Sequence, residues 1–251
     1  MKNYYCKFLG TGNAIISYRK NGPGFFVNMN GKKLLFDMGY GTIRELIKIN
    51  ESYNTIDAIF LSHWHLDHIC DLFPTLFLAN IPGYFLEKKL PIFAPKGFQK
   101  VFDKLVEIFG NWIKSPLMPL EIIELTPTVE VVYKDIKITS YPVVHTDHSL
   151  GYRITDGKKI FSYTGDTEKT EGLLSILKDC DLGITECSFP PNVELKKHMN
   201  ALDILEITGR VNVKKLALVH IYPIAESENI EKFFQNYKNI IIPKDGDTIY
   251  F

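Results

Sequence analysis

The sequence predicts an α/β fold in which two mixed β-sheets pack face to face with helices outside each, a four-layer αββα sandwich. Two observations lead to this prediction. Short apolar or alternating runs, most of them bounded by Gly, Pro, Asn or Asp, recur along the chain as β-strands do. Both halves of the chain also interleave such runs with helical patterns in the same order. Two packed sheets with outer helices would bury the apolar faces that this order creates.

The predicted elements follow the chain in order. Strands are expected at residues 4–9, 25–29, 33–36, 58–61, 129–133, 136–141, 152–155, 159–163, 182–185, 216–219, 240–242 and 248–250. Helices are predicted at 42–50, 96–109, 167–177 and 201–209, and the second of them places Val101, Leu105, Ile108 and Phe109 on one apolar face. No low-complexity linker interrupts this order, so residues 1–251 are predicted to form a single domain.

The composition restricts the function classes. The chain has 29 Lys and Arg against 29 Asp and Glu, so no overall positive field favours nucleic acid as a partner. No run of about 18 apolar residues is present, which argues against a membrane-spanning helix. The four cysteines form no CxxC motif and are expected to be reduced thiols, which predicts a cytoplasmic location.

The densest group of polar residues follows the strand predicted at 58–61. It reads Ser62-His63-Trp64-His65-Leu66-Asp67-His68 and places four metal-ligand side chains within six residues. An imidazole or carboxylate buried without polar partners is costly, so core packing does not account for this group. Alternating side-chain directions let His63 and His65 point the same way, while Asp67 and His68 can serve a second ion. Imidazole nitrogen and carboxylate oxygen suit zinc, with manganese or iron as alternatives.

Three further ligand-type residues follow apolar strands. His145 comes after residues 138–144, Asp166 after residues 160–165 and His220 after residues 216–219. With the first group they complete two coordination shells, so two divalent metal ions are predicted. One ion is assigned to His63, His65 and His145, and the other to Asp67, His68 and His220. Asp166 would bridge the two ions, because a carboxylate offers two oxygens and a negative charge.

The order HxHxDH, His145, Asp166 and His220 resembles the metallo-β-lactamase-fold hydrolase superfamily, and the resemblance runs essentially from end to end. Residues 8–12 (FLGTG) resemble the opening strand and loop of that superfamily, and residues 35–42 (LFDMGYGT) resemble its second landmark. The resemblance implies a metal-dependent hydrolase.

Within the superfamily, the chain is most similar to tRNase Z and its phosphodiesterase and arylsulfatase relatives. Four stretches carry this similarity: 144–152, 161–167, 184–189 and 198–201. The resemblance implies that His198, at a helix start, donates a proton to the leaving group and that Glu186 holds its imidazole by a hydrogen bond. It also suggests a homodimer. Only 20 residues separate His145 from Asp166, and their hairpin-like content leaves no room for the basic arm with which the RNA-processing enzymes hold tRNA.

The interpretation is therefore a compact phosphodiesterase that uses a metal-bridging hydroxide on a small-molecule phosphodiester or related ester. The catalytic residues would be Asp67, His198 and Glu186, with Asp67 accepting or orienting the proton of the hydroxide. Nucleic acid is a less favoured substrate, because an enzyme that holds a long polyanion should carry an excess of Lys and Arg.

Several alternatives stay open. A tRNA 3′-processing endoribonuclease, a lactonase and a thiolesterase of the same superfamily would use the same set of ligands. A β-lactamase is less favoured because cysteine often serves as a ligand there, and a diiron oxidoreductase is less favoured because it carries Glu where His65 stands. A non-catalytic small-molecule-binding member is disfavoured because all seven ligand positions are filled.

Overall fold

A computed structural model describes residues 3–81, 89–114 and 119–251. The contacts of the chain divide it into two compact units. The first unit comprises Met1–Gly10, Ile16–Leu125 and Asp245–Tyr250, and the second comprises Thr11–Ile15, Thr126–Lys244 and the terminal Phe251. The assignment of residues 1–251 to one domain stays a prediction.

Runs of strands and helices follow one another along the described chain. The strands are β1 (Tyr4–Gly10), β2 (Gly24–Met29), β3 (Lys32–Phe36), β4 (Ala58–Phe60), β5 (Leu90–Pro95), β6 (Leu120–Leu125), β7 (Glu130–Tyr133), β8 (Ile136–Pro142), β9 (Leu150–Thr155), β10 (Ile160–Tyr163), β11 (Leu182–Glu186), β12 (Leu216–Val219), β13 (Ile240–Ile241) and β14 (Thr248–Tyr250). The α-helices are α1 (Thr42–Lys48), α2 (Leu66–Ile69), α3 (Leu72–Leu78), α4 (Phe98–Phe109), α5 (Gly172–Leu177), α6 (Ala201–Arg210), α7 (Pro223–Ser227) and α8 (Ile230–Phe234).

The first unit is built on a seven-stranded mixed sheet in the order β14-β1-β2-β3-β4-β5-β6. Strands β14, β1, β2 and β3 pair antiparallel, and β3, β4, β5 and β6 pair parallel. Its core packs residues of the central strands, such as Phe26, Leu35 and Ile59, against Leu72 and Leu76 of α3. The parallel half is fully buried at β4 and β5, as expected for strands covered on both faces.

The second unit repeats this plan in a seven-stranded sheet of order β13-β12-β11-β10-β9-β8-β7. Strands β13 to β10 pair parallel and β10 to β7 pair antiparallel. Its core joins the strands to α5, α6 and α8 through residues such as Leu173, Ile204 and Phe234. Strands β8, β10, β11 and β12 therefore all run in one direction, so their carboxyl ends share one edge of the sheet.

The predicted class, two mixed sheets with flanking helices, is confirmed. The hairpin expected before Asp166 is also present, since β9 and β10 pair antiparallel with Tyr163 opposite Tyr152. Strands β5 and β6 and helices α2, α3, α7 and α8 were not predicted.

Two predictions about helices were wrong. The helix expected at 167–177 is reduced to Gly172–Leu177, because the Thr167 and Glu168 amides donate outside any helix, to the Glu186 carboxylate and the Val144 carbonyl. On α4 the expected apolar face is only half correct, since Ile108 and Phe109 are 73% and 51% exposed while Phe98 and Phe102 are buried. Among the described residues, no helix is both long and apolar enough to cross a membrane.

Candidate functional site

The predicted ligands of the first unit follow β4 without an intervening element. His65 is the residue before α2, so Asp67 and His68 lie on a short helix that the sequence did not predict. His63 and His68 are buried with ring centroids 4.1 Å apart, and His65 is exposed with its ring centroid 4.7 Å from that of His63. Oδ2 of Asp67 lies 3.5 Å from Nε2 of His68. This turn thus gathers three imidazoles and one carboxylate.

Asp37 organises two of these imidazoles, a role the sequence analysis did not assign. Its Oδ2 lies 2.7 Å from Nδ1 of His68 and accepts the Ser62 hydroxyl proton at 2.7 Å, while its Oδ1 accepts the Ser62 amide at 2.7 Å. Because that hydroxyl has only one proton, Nδ1 of His63, 3.0 Å from Ser62 Oγ, must be the donor in its contact. Both rings then carry their lone pair on Nε2, the atom that a metal would take.

The backbone at Asp67 packs closely against two glycines. The carbonyl oxygen of Asp67 lies against Gly22 and Gly39, and a Cβ at Gly22 would come within 2.6 Å of it, with Gly39 closer still. Both positions therefore require glycine, since real Cβ contacts under 3.0 Å essentially never occur.

Two neutral side chains stand beside the same turn. Burial raises the pKa of the Cys70 thiol to about 11, and the Asp71 and Asp67 carboxylates act in the same direction. Burial and the charge of Asp67 also raise the pKa of the Tyr40 phenol. At neutral pH Cys70 is thus a thiol rather than a thiolate, and we assign it no ligand role.

The predicted ligands of the second unit lie at the shared edge of its sheet. His145, Asp166 and His220 follow β8, β10 and β12, and all three are buried. Oδ2 of Asp166 is 3.8 Å from Nε2 of His145 and 3.2 Å from Nε2 of His220. Ligand atoms of His145, Asp166 and His198 lie within 4.8 Å of one another, as do those of Glu186, His198 and His220. Each group contains residue types that could hold a metal ion.

Glu186 organises imidazoles in the second unit. Both of its oxygens lie 3.0 Å from Nδ1 of His198, as the resemblance implied, and its Oε2 accepts the Ser188 hydroxyl at 2.5 Å. Ser188 Oγ is in turn 3.1 Å from Nδ1 of His220. The carboxylate is buried and also accepts the Thr167 amide at 2.5 Å and the Met199 amide at 3.2 Å. Ser188 was not predicted from the sequence, because its role depends on a contact with a residue distant in the chain.

The start of α6 fixes the position of His198. Asn200 caps this helix, accepting the Leu202 and Asp203 amides at 2.9 and 3.1 Å, while Asp203 accepts the Asn200 amide at 3.0 Å. His198 lies two residues before the cap, with its side chain 12% exposed. The helix start predicted here is confirmed.

Comparison with known proteins identifies the class. The profile described as "Beta-lactamase superfamily domain" matches residues 32–221, and the chain belongs to this family. The prediction of a metal-dependent hydrolase of this superfamily is confirmed.

Particular relatives cover nearly the whole chain. Ribonuclease Z of Archaeoglobus fulgidus is 26% identical over 298 residues, covering 95% of this chain and 94% of the relative. Among solved structures, the metallo-β-lactamase fold protein YhfI from Bacillus subtilis superposes with a TM-score of 0.82 at 22% identity, covering 98% of both chains. A diphosphatase from the PhnP family gives a TM-score of 0.76 at 18% identity, covering 99% of this chain and 98% of that one.

Proposed function

We propose that this protein is a phosphodiesterase that depends on two divalent metal ions. His63, His65 and His145 would hold one ion, Asp67, His68 and His220 the other, and Asp166 would bridge them. Imidazole nitrogens with carboxylate oxygens suit zinc best, and manganese or iron would fit the same donors.

The proposal rests on the protein oxygens that contact Nδ1 of the proposed histidine ligands. Nδ1 of each of four proposed ligands lies 2.7–3.1 Å from a protein oxygen: Ser62 for His63, Asp37 for His68, the Lys197 carbonyl for His145 and Ser188 for His220. Metal-binding histidines typically donate that nitrogen to such a partner, which fixes the ring and leaves Nε2 for the metal. The donor set therefore fits the ions that the family implies.

The chemistry divides between the ions and the chain. When bound, two such ions would lower the pKa of the attacking water towards neutrality and stabilise charge on the phosphoryl oxygens. The Asp67 carboxylate would accept or orient the proton of the attacking water. As the water oxygen bonds to phosphorus, the bond to the leaving oxygen breaks and its electron pair stays on that oxygen. Nε2 of His198 would give this alkoxide a proton, because Glu186 holds Nδ1.

The first test is metal content and turnover. Wild-type protein is expected to bind about two ions per chain. His63→Ala and Asp166→Ala are expected to lose metal together with turnover, whereas His148→Ala, which removes an exposed imidazole, should keep both. The measurement is metal analysis of dialysed protein alongside rates on a bis-aryl phosphate. Full metal content in His63→Ala and Asp166→Ala would contradict the proposed ligand set.

The substrate class needs its own measurement. Protein reloaded separately with zinc, manganese and iron would be assayed on a bis-aryl phosphate, a cyclic nucleotide, an aryl sulfate, a thioester and a lactone. We expect the phosphodiesters to be hydrolysed fastest. A lactone or thioester turned over faster than either phosphodiester would replace the phosphodiesterase assignment by the corresponding esterase.

A tRNA 3′-processing activity is the second candidate, favoured by the similarity to the archaeal ribonuclease Z. That alignment is 298 positions long while this chain has 251 residues, so the relative contains segments that this chain lacks. This difference and the short β9–β10 hairpin favour the smaller substrate. Cleavage of a precursor tRNA faster than a bis-aryl phosphate would reverse the order of the two candidates. A homodimer and a cytoplasmic location belong to the same proposal, and light scattering after gel filtration would test the dimer.

A further inference from the structure

Lys197 occupies an unusual backbone position directly before the proposed proton donor. Its φ is 72°, in the left-handed region that residues other than glycine rarely adopt. Its carbonyl oxygen lies 3.0 Å from Nδ1 of His145, and its amide donates to Oε2 of Glu168 at 3.0 Å. The backbone of one residue therefore contacts a proposed metal ligand and precedes the residue proposed to protonate the leaving group.

Residues 167 and 168 hold the backbone next to His145. The Glu168 amide donates to the Val144 carbonyl at 3.0 Å, and the Val144 amide donates to Oγ1 of Thr167 at 3.1 Å. The backbone preceding His145 is thus held by Thr167 and Glu168, while the ring of His145 is held by Lys197. Glu168 contributes to both interactions, because its main chain binds the backbone before His145 and its side chain binds Lys197.

The two imidazoles that this arrangement orients are neighbours. The ring centroids of His145 and His198 are 4.9 Å apart and their planes are inclined by 63°. If the Lys197 amide lost its acceptor, only the contact between its carbonyl and His145 would remain, of the two described above, to offset the cost of its left-handed conformation. A change of φ at Lys197 would turn its carbonyl away from His145 and move the backbone that carries His198.

We propose that Glu168 is a positioning residue that couples metal binding to proton donation. Through the backbone of Lys197, it orients His145 as a metal ligand and His198 as a proton donor. This inference rests on the proposed function for the role of His198. Glu168 contacts no reacting atom, so its effect is expected in the placement of other groups.

The test compares three variants. Glu168→Ala removes the acceptor, Glu168→Gln keeps an oxygen that can accept the Lys197 amide, and Glu194→Ala removes an exposed carboxylate from the same 190–198 segment. Amide hydrogen exchange followed by mass spectrometry reports whether the peptide containing Lys197 is held. Competition with a chromophoric chelator reports zinc affinity. Rates at saturating zinc, on phosphodiesters with alkyl and activated aryl leaving groups, report proton donation.

Glu168→Ala is expected to change all three measurements. The loss of a hydrogen bond to a charged group should speed exchange at the 194–199 peptide by about tenfold or more. Loosening the partner of a ligand should weaken zinc binding by about tenfold. Turnover should fall about tenfold on the alkyl ester and less than about twofold on the aryl ester, which needs no proton donor. Glu168→Gln should recover most of each loss, and Glu194→Ala should match wild type.

The outcomes separate this inference from the proposed function. If Glu168→Ala matches Glu194→Ala, or if either zinc affinity or the alkyl-to-aryl rate ratio stays unchanged, the coupling is overturned. If His198→Ala itself leaves alkyl-ester turnover intact, the proton-donor assignment fails. Exchange and zinc affinity would then still decide whether Glu168 holds Lys197 and His145.

Discussion

The two units each contain the same arrangement of a buried carboxylate, a serine and two imidazoles. In the first unit a buried carboxylate, Asp37, binds His68 directly and reaches His63 through Ser62. In the second unit a buried carboxylate, Glu186, binds His198 directly and reaches His220 through Ser188. Each unit therefore has a carboxylate and a serine that together fix the Nδ1 atoms of two imidazoles.

The directly bound imidazoles differ in their access to solvent. The side chain of His68 is fully buried, whereas that of His198 is 12% exposed. The acceptor is the same kind of group in both cases, so the hydrogen bond does not distinguish the two histidines. For these two rings we infer that access does: the buried ring of His68 is enclosed by protein, whereas the ring of His198 can reach a substrate to transfer a proton.

The largest expected effect tests this difference between the directly bound histidines. His198→Ala should keep both ions yet lose about 10²- to 10⁴-fold in kcat on an alkyl phosphodiester, the range typical of general acid catalysis, with a much smaller loss on an activated aryl ester. His68→Ala should lose metal and fail on both esters. Metal analysis and the two rates decide the matter, and identical behaviour of the two variants would remove the distinction.

The next effect concerns Asp37, the buried carboxylate of the first unit. Asp37→Ala leaves a hydroxyl, an amide and an imidazole without their acceptor inside the first unit, and should lower the free energy of unfolding by about 3 kcal/mol. Asp37→Asn keeps an acceptor oxygen and tolerates the left-handed φ of 52°, so its loss should be smaller. Urea unfolding with an unchanged m value measures both. Equal loss in the two variants would show that the side-chain volume and single oxygen kept by Asn do not replace the carboxylate, against the expected order.

The smallest effect comes from the serines. Ser62→Ala and Ser188→Ala each deprive one proposed ligand of its Nδ1 partner and should weaken metal binding about tenfold. Ser188→Ala leaves the bonds between Glu186 and His198 intact, so the ratio of alkyl to aryl ester rates should stay at the wild-type value. Chelator competition and the two rates provide the measurements. A changed ratio would mean that the serine also controls the proton donor.

The sequence predicted what depends on local patterns. The candidate ligands could be found because each follows an apolar strand, and the parallel strands of the second unit bring His145, Asp166 and His220 to one sheet edge. The helix start after His198 was likewise visible in local sequence.

The positioning residues could not be predicted in the same way. Asp37, Ser188 and Glu168 act on partners that are distant in sequence, and a lone Asp, Ser or Glu near a strand end has no distinguishing pattern. The shortened helix α5 has the same cause, since tertiary hydrogen bonds to Glu186 and Val144 hold residues 167 and 168 in a non-helical conformation. Strand β5 begins and ends with proline-containing pairs inside an aromatic-rich stretch, which concealed it.

The contact of Gly22 and Gly39 with the Asp67 carbonyl limits how this protein can be engineered. A mutagenesis library designed to widen substrate range would naturally randomise loops around the histidines. Even alanine at position 22 or 39 would push the Asp67 carbonyl away, and with it the carboxylate and the neighbouring imidazole of His68. Such libraries should leave both codons fixed and place diversity elsewhere.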